Sequence, residues 1–157
     1  MAGLRLDPID RKILAELQAD GRMTNVELAK RVGISAPPCL RRVRTLEESG
    51  FIDKHVTLLK PEALGLNLTA FLGISMDRHT PDRFKAFEEA VQNFPEVLEC
   101  AIVTGQSADY MLKVVVADMQ HYESFLLGRL TRIEGVTGVH SSFVLRKIID
   151  NTALPID

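Results

Sequence analysis

The 157-residue sequence predicts an α+β chain in two parts, with three helices first and a sheet carrying two helices after them. Three observations predict it. From Ile9 to Leu46 apolar residues recur at spacings of three and four, the period of helices that bury one face. From Thr69 the period falls to two, with Ala70, Leu72, Ile74 and Met76 alternating with Phe71, Gly73 and Ser75, as in a half-buried strand. Between these stretches Lys60-Pro61 breaks both patterns. The expected division is a first domain over residues 1–60, a linker over 61–68, and a second domain with a C-terminal tail over 69–157.

In the first domain Asp7 is placed to cap a helix that Pro8 begins, with Ile9, Ile13, Leu14 and Leu17 on its apolar face and an end near Gly21. Thr24 followed by Glu27 forms a capping box for the next helix, Leu28, Ala29 and Val32 its apolar face, and Gly33 its end. Ser35 can cap a third helix, whose buried stripe is read as Leu40, Val43 and Leu46. Its opening, Ala36-Pro37-Pro38, predicts an irregular first turn, because a proline restricts the residue before it, and a regular helix from about Cys39. Two helices joined by so tight a turn make a helix-turn-helix. The run Phe51–Leu59 is rich in β-formers and is expected to supply a two-stranded wing.

In the second domain the strand from Thr69 leads through Thr80-Pro81 to a helix presenting Phe84, Phe87, Val91 and Phe94. Strands follow over Val97–Thr104 and Tyr110–Val116, separated by the polar loop Gly105–Asp109. Asp118 caps a long helix with Met119, Tyr122, Leu126 and Leu130 on one face. Gly135 and Gly138 then introduce a last strand through Val139–Leu145. The order β-α-β-β-α-β is the ferredoxin-like arrangement, an antiparallel sheet with both helices on one face. The other face needs a cover, and pairing of two subunits through the sheet supplies one. Either the Phe71/Gly73/Ser75 set or the Ala70/Leu72/Ile74 set is expected at that interface.

Charge is unevenly divided along the chain. Residues 1–60 hold 11 Lys+Arg against 8 Asp+Glu, residues 61–157 hold 8 against 13, and the net charge is −2. Within 22–44, Arg22, Lys30, Arg31, Arg41, Arg42 and Arg44 stand against the single acid Glu27. A basic segment on an otherwise acidic chain is the footprint of a phosphate-backbone binder. Arg41, Arg42 and Arg44 are therefore expected to contact double-stranded DNA, with Ser35, Pro37, Pro38 and Cys39 near the groove and Asn25 joining them from the preceding helix.

Other classes are disfavoured. There is no run of about 18 apolar residues to span a membrane, and MAGLRLDPIDRK lacks the apolar core of a secretory signal. Cys39 and Cys100 form no CxxC pair, so neither a disulfide framework nor a zinc site is suggested, and Cys39 is read as a small contact residue rather than a redox sensor. The expected location is the reducing cytoplasm. His55, His79, His121 and His140 lie on separate elements without ligand spacing, and Ser141-Ser142 has no neighbouring His and Asp. No metal, no cofactor and no enzymatic activity are expected.

The segments LDPIDRKILAELQADGRMTNVELAKRVGIS, CLRRVRTLEESGFI, PEVLEC, TGQSADYMLKVVV and SSFVL, taken together over nearly the whole chain, resemble the leucine-responsive/asparagine-regulator (Lrp/AsnC, feast-famine) family of prokaryotic transcription factors. The tail NTALPI is similar to that of a subgroup regulating amino-acid breakdown. The resemblance implies a DNA-binding regulator of amino-acid metabolism genes, gated by a small amino acid, apolar such as leucine, and assembling as dimers into tetramers or octamers. It implies an effector site at Thr104, Gly105, Asp109, Tyr110, Met119, Ser141 and Ser142. Family members commonly carry G-x-x-D-Y at the effector loop, and Gly105-Gln106-Ser107-Ala108-Asp109-Tyr110 is one residue longer. Two other readings are an architectural DNA binder without an effector and a small enzyme on a ferredoxin-like sheet. The enzyme would need an acid, base or nucleophile set that the sequence does not display.

Overall fold

A computed structural model, described over residues 5–105 and 108–156, divides into two compact units. One runs through Leu58 and takes in the tail from Ile149, and the other spans Leu59–Ile148.

The first unit holds α1 (Pro8–Ala19), α2 (Asn25–Val32) and α3 (Ala36–Glu48). The expected capping box of α2, Thr24 with Glu27, forms, and Asp7 caps α1 as expected, completing with Asp10 a second box that was not among the expectations. They satisfy N–H groups that a helix start leaves without partners. Gly33 ends α2 at φ 80°, where a side chain would be strained, and the chain turns directly into α3. Ile13, Leu14, Leu28, Ala29, Val32, Cys39 and Leu46 form the core.

Four expectations about this unit are corrected. The α3 helix is regular from Ala36, because both prolines sit in the first turn, where their missing N–H groups have no intrahelical partner. Its buried stripe starts at Cys39 rather than Leu40, which is 40% exposed. No strand forms over residues 51–60; they lack a two-residue hairpin turn, and Val56, Leu58 and Leu59 stay exposed. The tail, expected with the second domain, docks on the helices. Gln18 Nε2 donates to the Leu154 carbonyl at 3.0 Å, Leu154 N–H donates to Gln18 Oε1 at 2.6 Å, and Ile156 packs on the core.

The second unit holds β1 (Leu68–Met76), α4 (Pro81–Val91), β2 (Val97–Ile102), β3 (Tyr110–Val116), α5 (Met119–Gly128) and β4 (Val136–Phe143). The sheet order is β2-β3-β1-β4 with every neighbouring pair antiparallel, the expected split-βαβ topology. Ala70, Leu72, Ile74 and Met76 pack with Tyr110, Leu112, Val114 and Val116 against Phe87, Val91, Tyr122 and Phe125 of the helices. Each fully buried Leu, Ile, Val or Phe here contributes about 1.5–3 kcal/mol. The alternate residues Phe71, Met111 and Lys113 occupy the opposite face, with Phe71 and Met111 exposed. The last helix is shorter than its sequence pattern, since Leu130 falls in a separate 3-10 turn, Leu130–Arg132. The outer strands also shift, β2 stopping at Ile102 and β4 running from Val136 to Phe143.

Candidate DNA interface and effector site

The burial of α3 decides which of its residues can reach a groove. Cys39, Val43 and Leu46 face the core, so the outward stripe is Pro37, Leu40, Arg41 and Arg44, at spacings of three and four. Ser35, at the N-cap, and Pro37 are exposed, and Pro38 is half-buried. Arg41 and Arg44 are exposed and take no ion-pair partner among the described residues. Their guanidinium groups are available for phosphates or guanine edges.

Three other members of the expected DNA set do different work. Arg42 Nη1 donates to Asp7 Oδ2 and to Asp10 Oδ1, both at 2.7 Å, joining the middle of α3 to the start of α1. These bonds, first to Asp10 and then to Asp7, hold the guanidinium pKa above its ordinary value. The Asp7 carboxyl is held below its usual range, chiefly by the Asp10 backbone N–H and also by Arg42. Arg42 is thus a strut within the unit, its guanidinium shared between two carboxylates of α1. Cys39 has no exposed surface, and burial pushes its thiol pKa up, so it neither reaches DNA nor presents a reactive thiolate. Asn25 Nδ2 donates to the Ala36 carbonyl at 2.8 Å, fastening α2 to the first turn of α3, while its Oδ1 is buried without a partner among the described residues. Leu40 was missed from the sequence. The spacing Pro37, Leu40, Arg41, Arg44 was its signal, obscured because Leu40 also fits a buried stripe with Val43.

The residues expected at the effector site start from the β2–β3 loop. Asp109 fixes that loop to β1: its N–H donates to the Ile74 carbonyl at 2.8 Å, and its Oδ2 accepts from Met76 N–H at 2.7 Å. Oδ1 lies 2.8 Å from His79 Nε2, and the Asp109 carbonyl accepts from Val103 N–H at 3.0 Å. Ala108 lies over Gly73, where an added Cβ would come within 3.1 Å of the Ala108 Cβ. The missing side chain of Gly73 is therefore what lets the loop lie against the sheet. Thr104 and Gly105 are exposed at the loop's start; Gln106 and Ser107 lie outside the described residues.

The remaining candidates are dispersed within one chain. Tyr110 is a core residue, wedged against Phe84 and Phe87, with its hydroxyl donating to Glu88 Oε1 at 2.8 Å. Burial first, and then the Glu88 hydrogen bond, raise its pKa far above the ordinary tyrosine value. Ser141 pairs with Leu72 on the helix-bearing face and hydrogen-bonds the Tyr122 hydroxyl, whereas Ser142 pairs with Phe71 on the open face. Met119 is exposed at the start of α5, beyond the far end of β3 from Asp109. At the usual strand rise those ends are about 20 Å apart. Two cavities, of about 330 Å³ beside Glu96, Phe125 and Arg129 and about 250 Å³ beside Glu88, Cys100 and Tyr110, include none of the other effector candidates. One chain alone does not gather these residues around a single small ligand. Among the described residues no group of three His, Cys, Asp or Glu is arranged to hold a metal, and no helix is long and apolar enough to cross a membrane.

Comparison with known proteins covers both units. A family model described as "Winged helix-turn-helix DNA-binding" matches residues 6–53, and one described as "Lrp/AsnC ligand binding domain" matches residues 69–154. The leucine-responsive regulatory proteins of Klebsiella pneumoniae and Escherichia coli K12 are each 46% identical over 154 residues, covering 98% of this chain and 93% of theirs. A transcriptional regulator of Neisseria meningitidis, solved as a complex with L-Met, superposes with a TM-score of 0.94 at 42% identity, covering 98% of each chain. An AsnC family transcriptional regulator of Agrobacterium tumefaciens superposes with a TM-score of 0.90 at 39% identity, covering 96% of this chain and 97% of that one. These relatives are regulators, not enzymes.

Proposed function

The chain belongs to the Lrp/AsnC family of transcriptional regulators, and on that premise we propose that it binds specific DNA sequences at amino-acid metabolism genes under the control of an apolar amino acid. The observation that carries the DNA half is the outward stripe of α3, where Arg41 and Arg44 stand unpaired beside Ser35 and Pro37. A helix with two free guanidinium groups and a slim first turn fits the major groove, and a second copy reads the other half of a palindrome. The subunits pair through the open sheet face at Phe71 and Met111, and the dimers assemble further in the cytoplasm.

The effector half rests on the ligand-binding family match and on two relatives. One set is named for leucine, and the Neisseria regulator was solved with L-Met. Leucine and methionine share an unbranched Cβ and a similar apolar volume, so one pocket suits both. Asp109 gives a carboxylate for the ammonium group, beside the exposed Thr104 and Gly105. Met119, Ser141 and Ser142 join it from neighbouring subunits, since they are dispersed in one chain.

A mobility-shift titration on the gene's own upstream region, with and without each single amino acid, tests the reading. The expected result is a retarded band whose midpoint moves with leucine or methionine. A band indifferent to all twenty amino acids leaves the architectural reading in place, and no band at any protein concentration removes both.

A further inference from the structure

The outward stripe of α3 contains one large apolar side chain, Leu40, 40% exposed and set among Pro37, Arg41 and Arg44. A single exposed leucine is ordinary on a protein surface. Its neighbours make this one different. Arg41 follows it directly and Arg44 lies one turn on, so any partner that seats Leu40 must also accommodate two cations. An apolar protein partner would have to desolvate both guanidinium groups, whereas the DNA major groove offers phosphates and guanine edges for them. It also offers one apolar group, the thymine 5-methyl.

Resting on the DNA-binding reading above, we infer that Leu40 is a specificity-determining residue that recognises thymine through its methyl group, next to the bases contacted by Arg41 and Arg44. The position is in the second turn of the helix, one turn beyond Pro37, in the N-terminal half that enters the groove. The packing of α3 sets its orientation. Because Cys39 and Leu46 are buried and Arg42 is tied to Asp7 and Asp10, the helix cannot roll to hide Leu40 without breaking those bonds. Leu40 itself lies outside the core of the unit, so its truncation leaves the helices packed.

The test uses the full chain and duplexes it selects from a random library. Each thymine of a selected duplex is replaced in turn by deoxyuridine, which removes the methyl group and nothing else. Wild type is expected to lose roughly fourfold in affinity at one or two positions, the effect of one buried methyl-sized group. Leu40→Ala is expected to bind thymine and deoxyuridine duplexes equally at those positions, and Leu40→Met to restore the discrimination. Wild-type indifference at every thymine, or full discrimination retained by Leu40→Ala, overturns the assignment of Leu40 while leaving DNA binding intact. Failure to enrich any duplex overturns the DNA-binding reading and this inference with it.

Discussion

Arg42 and Asp10 are joined at 2.7 Å across 32 residues of sequence, and the carboxylate of that pair is almost wholly buried. The pair turns a basic residue of the reading helix into part of the frame that aims it. Removing the arginine leaves a buried carboxylate without its cation, at a cost of about 1–3 kcal/mol.

Arg42→Ala is therefore expected to lower the stability of the helical unit by that amount and to weaken DNA binding without changing its dependence on salt. Arg41→Ala is expected to leave stability intact and, where Arg41 meets a phosphate, to reduce the slope of log K against log salt by about 1. Denaturation curves and binding isotherms at several salt concentrations separate the two behaviours. A reduced slope in Arg42→Ala would return Arg42 to the DNA interface.

Asp7 supplies a pH dependence of defined sign. Its folded pKa is depressed below 3.8, first by the Asp10 backbone N–H, so the stabilisation is present above that value and fades as pH falls through the folded pKa. Asp7→Asn still caps α1 but does not titrate. Stability measured from pH 6 down to about pH 2 is expected to fall less steeply in the variant below about pH 4.

Gly73 and Ala108 test the proposed effector role of the β2–β3 loop without touching a charged group. Gly73→Val drives a branched side chain into the space Ala108 occupies, at the 3.1 Å approach already set by a single Cβ. The expected cost is about 1–3 kcal/mol of stability, and the displaced loop is expected to lose its amino-acid response. Calorimetry against leucine and methionine provides the readout, with native DNA affinity as the internal control.

The Gln18–Leu154 pair makes the tail part of the helical unit. Gln18→Ala removes two hydrogen bonds to the tail backbone and is expected to cost about 0.5–1.5 kcal/mol, since the pair is exposed and water competes for it. Truncation after Ile148 is expected to cost more, because Ile156 leaves the core as well. Hydrogen exchange on α1 would register both, and unchanged protection after truncation would show that the tail is dispensable.

What was legible in the sequence is what neighbours within about four residues decide. The cap at Asp7, the capping box at Thr24, the turn at Gly33, the alternation of β1 and the β-α-β-β-α-β order all rest on local spacing, and each stands in the structure. The loop carrying Asp109 was legible too, because a polar run between two apolar strands has few alternatives. Its attachment to Met76 and His79 was not, since those residues lie more than 29 positions away.

Local periodicity and composition are enough for the two-part α+β division, the identity of the reading helix and the surplus of positive charge near it. Tertiary structure decided which arginines are free, because Arg42 finds Asp7 and Asp10 only when α1 and α3 pack together. It decided the roll of α3, where Leu40 and Cys39 compete for the interior and a one-position difference exchanges a core residue for an exposed one. It sent the tail back to α1 and turned Ser141 and Ser142 to opposite sides of the sheet. The physical reason is common to all of these. Hydrophobic periodicity specifies that a face is buried, but a contact across tens of residues forms only when shape, charge and hydrogen-bond geometry agree after the chain has folded.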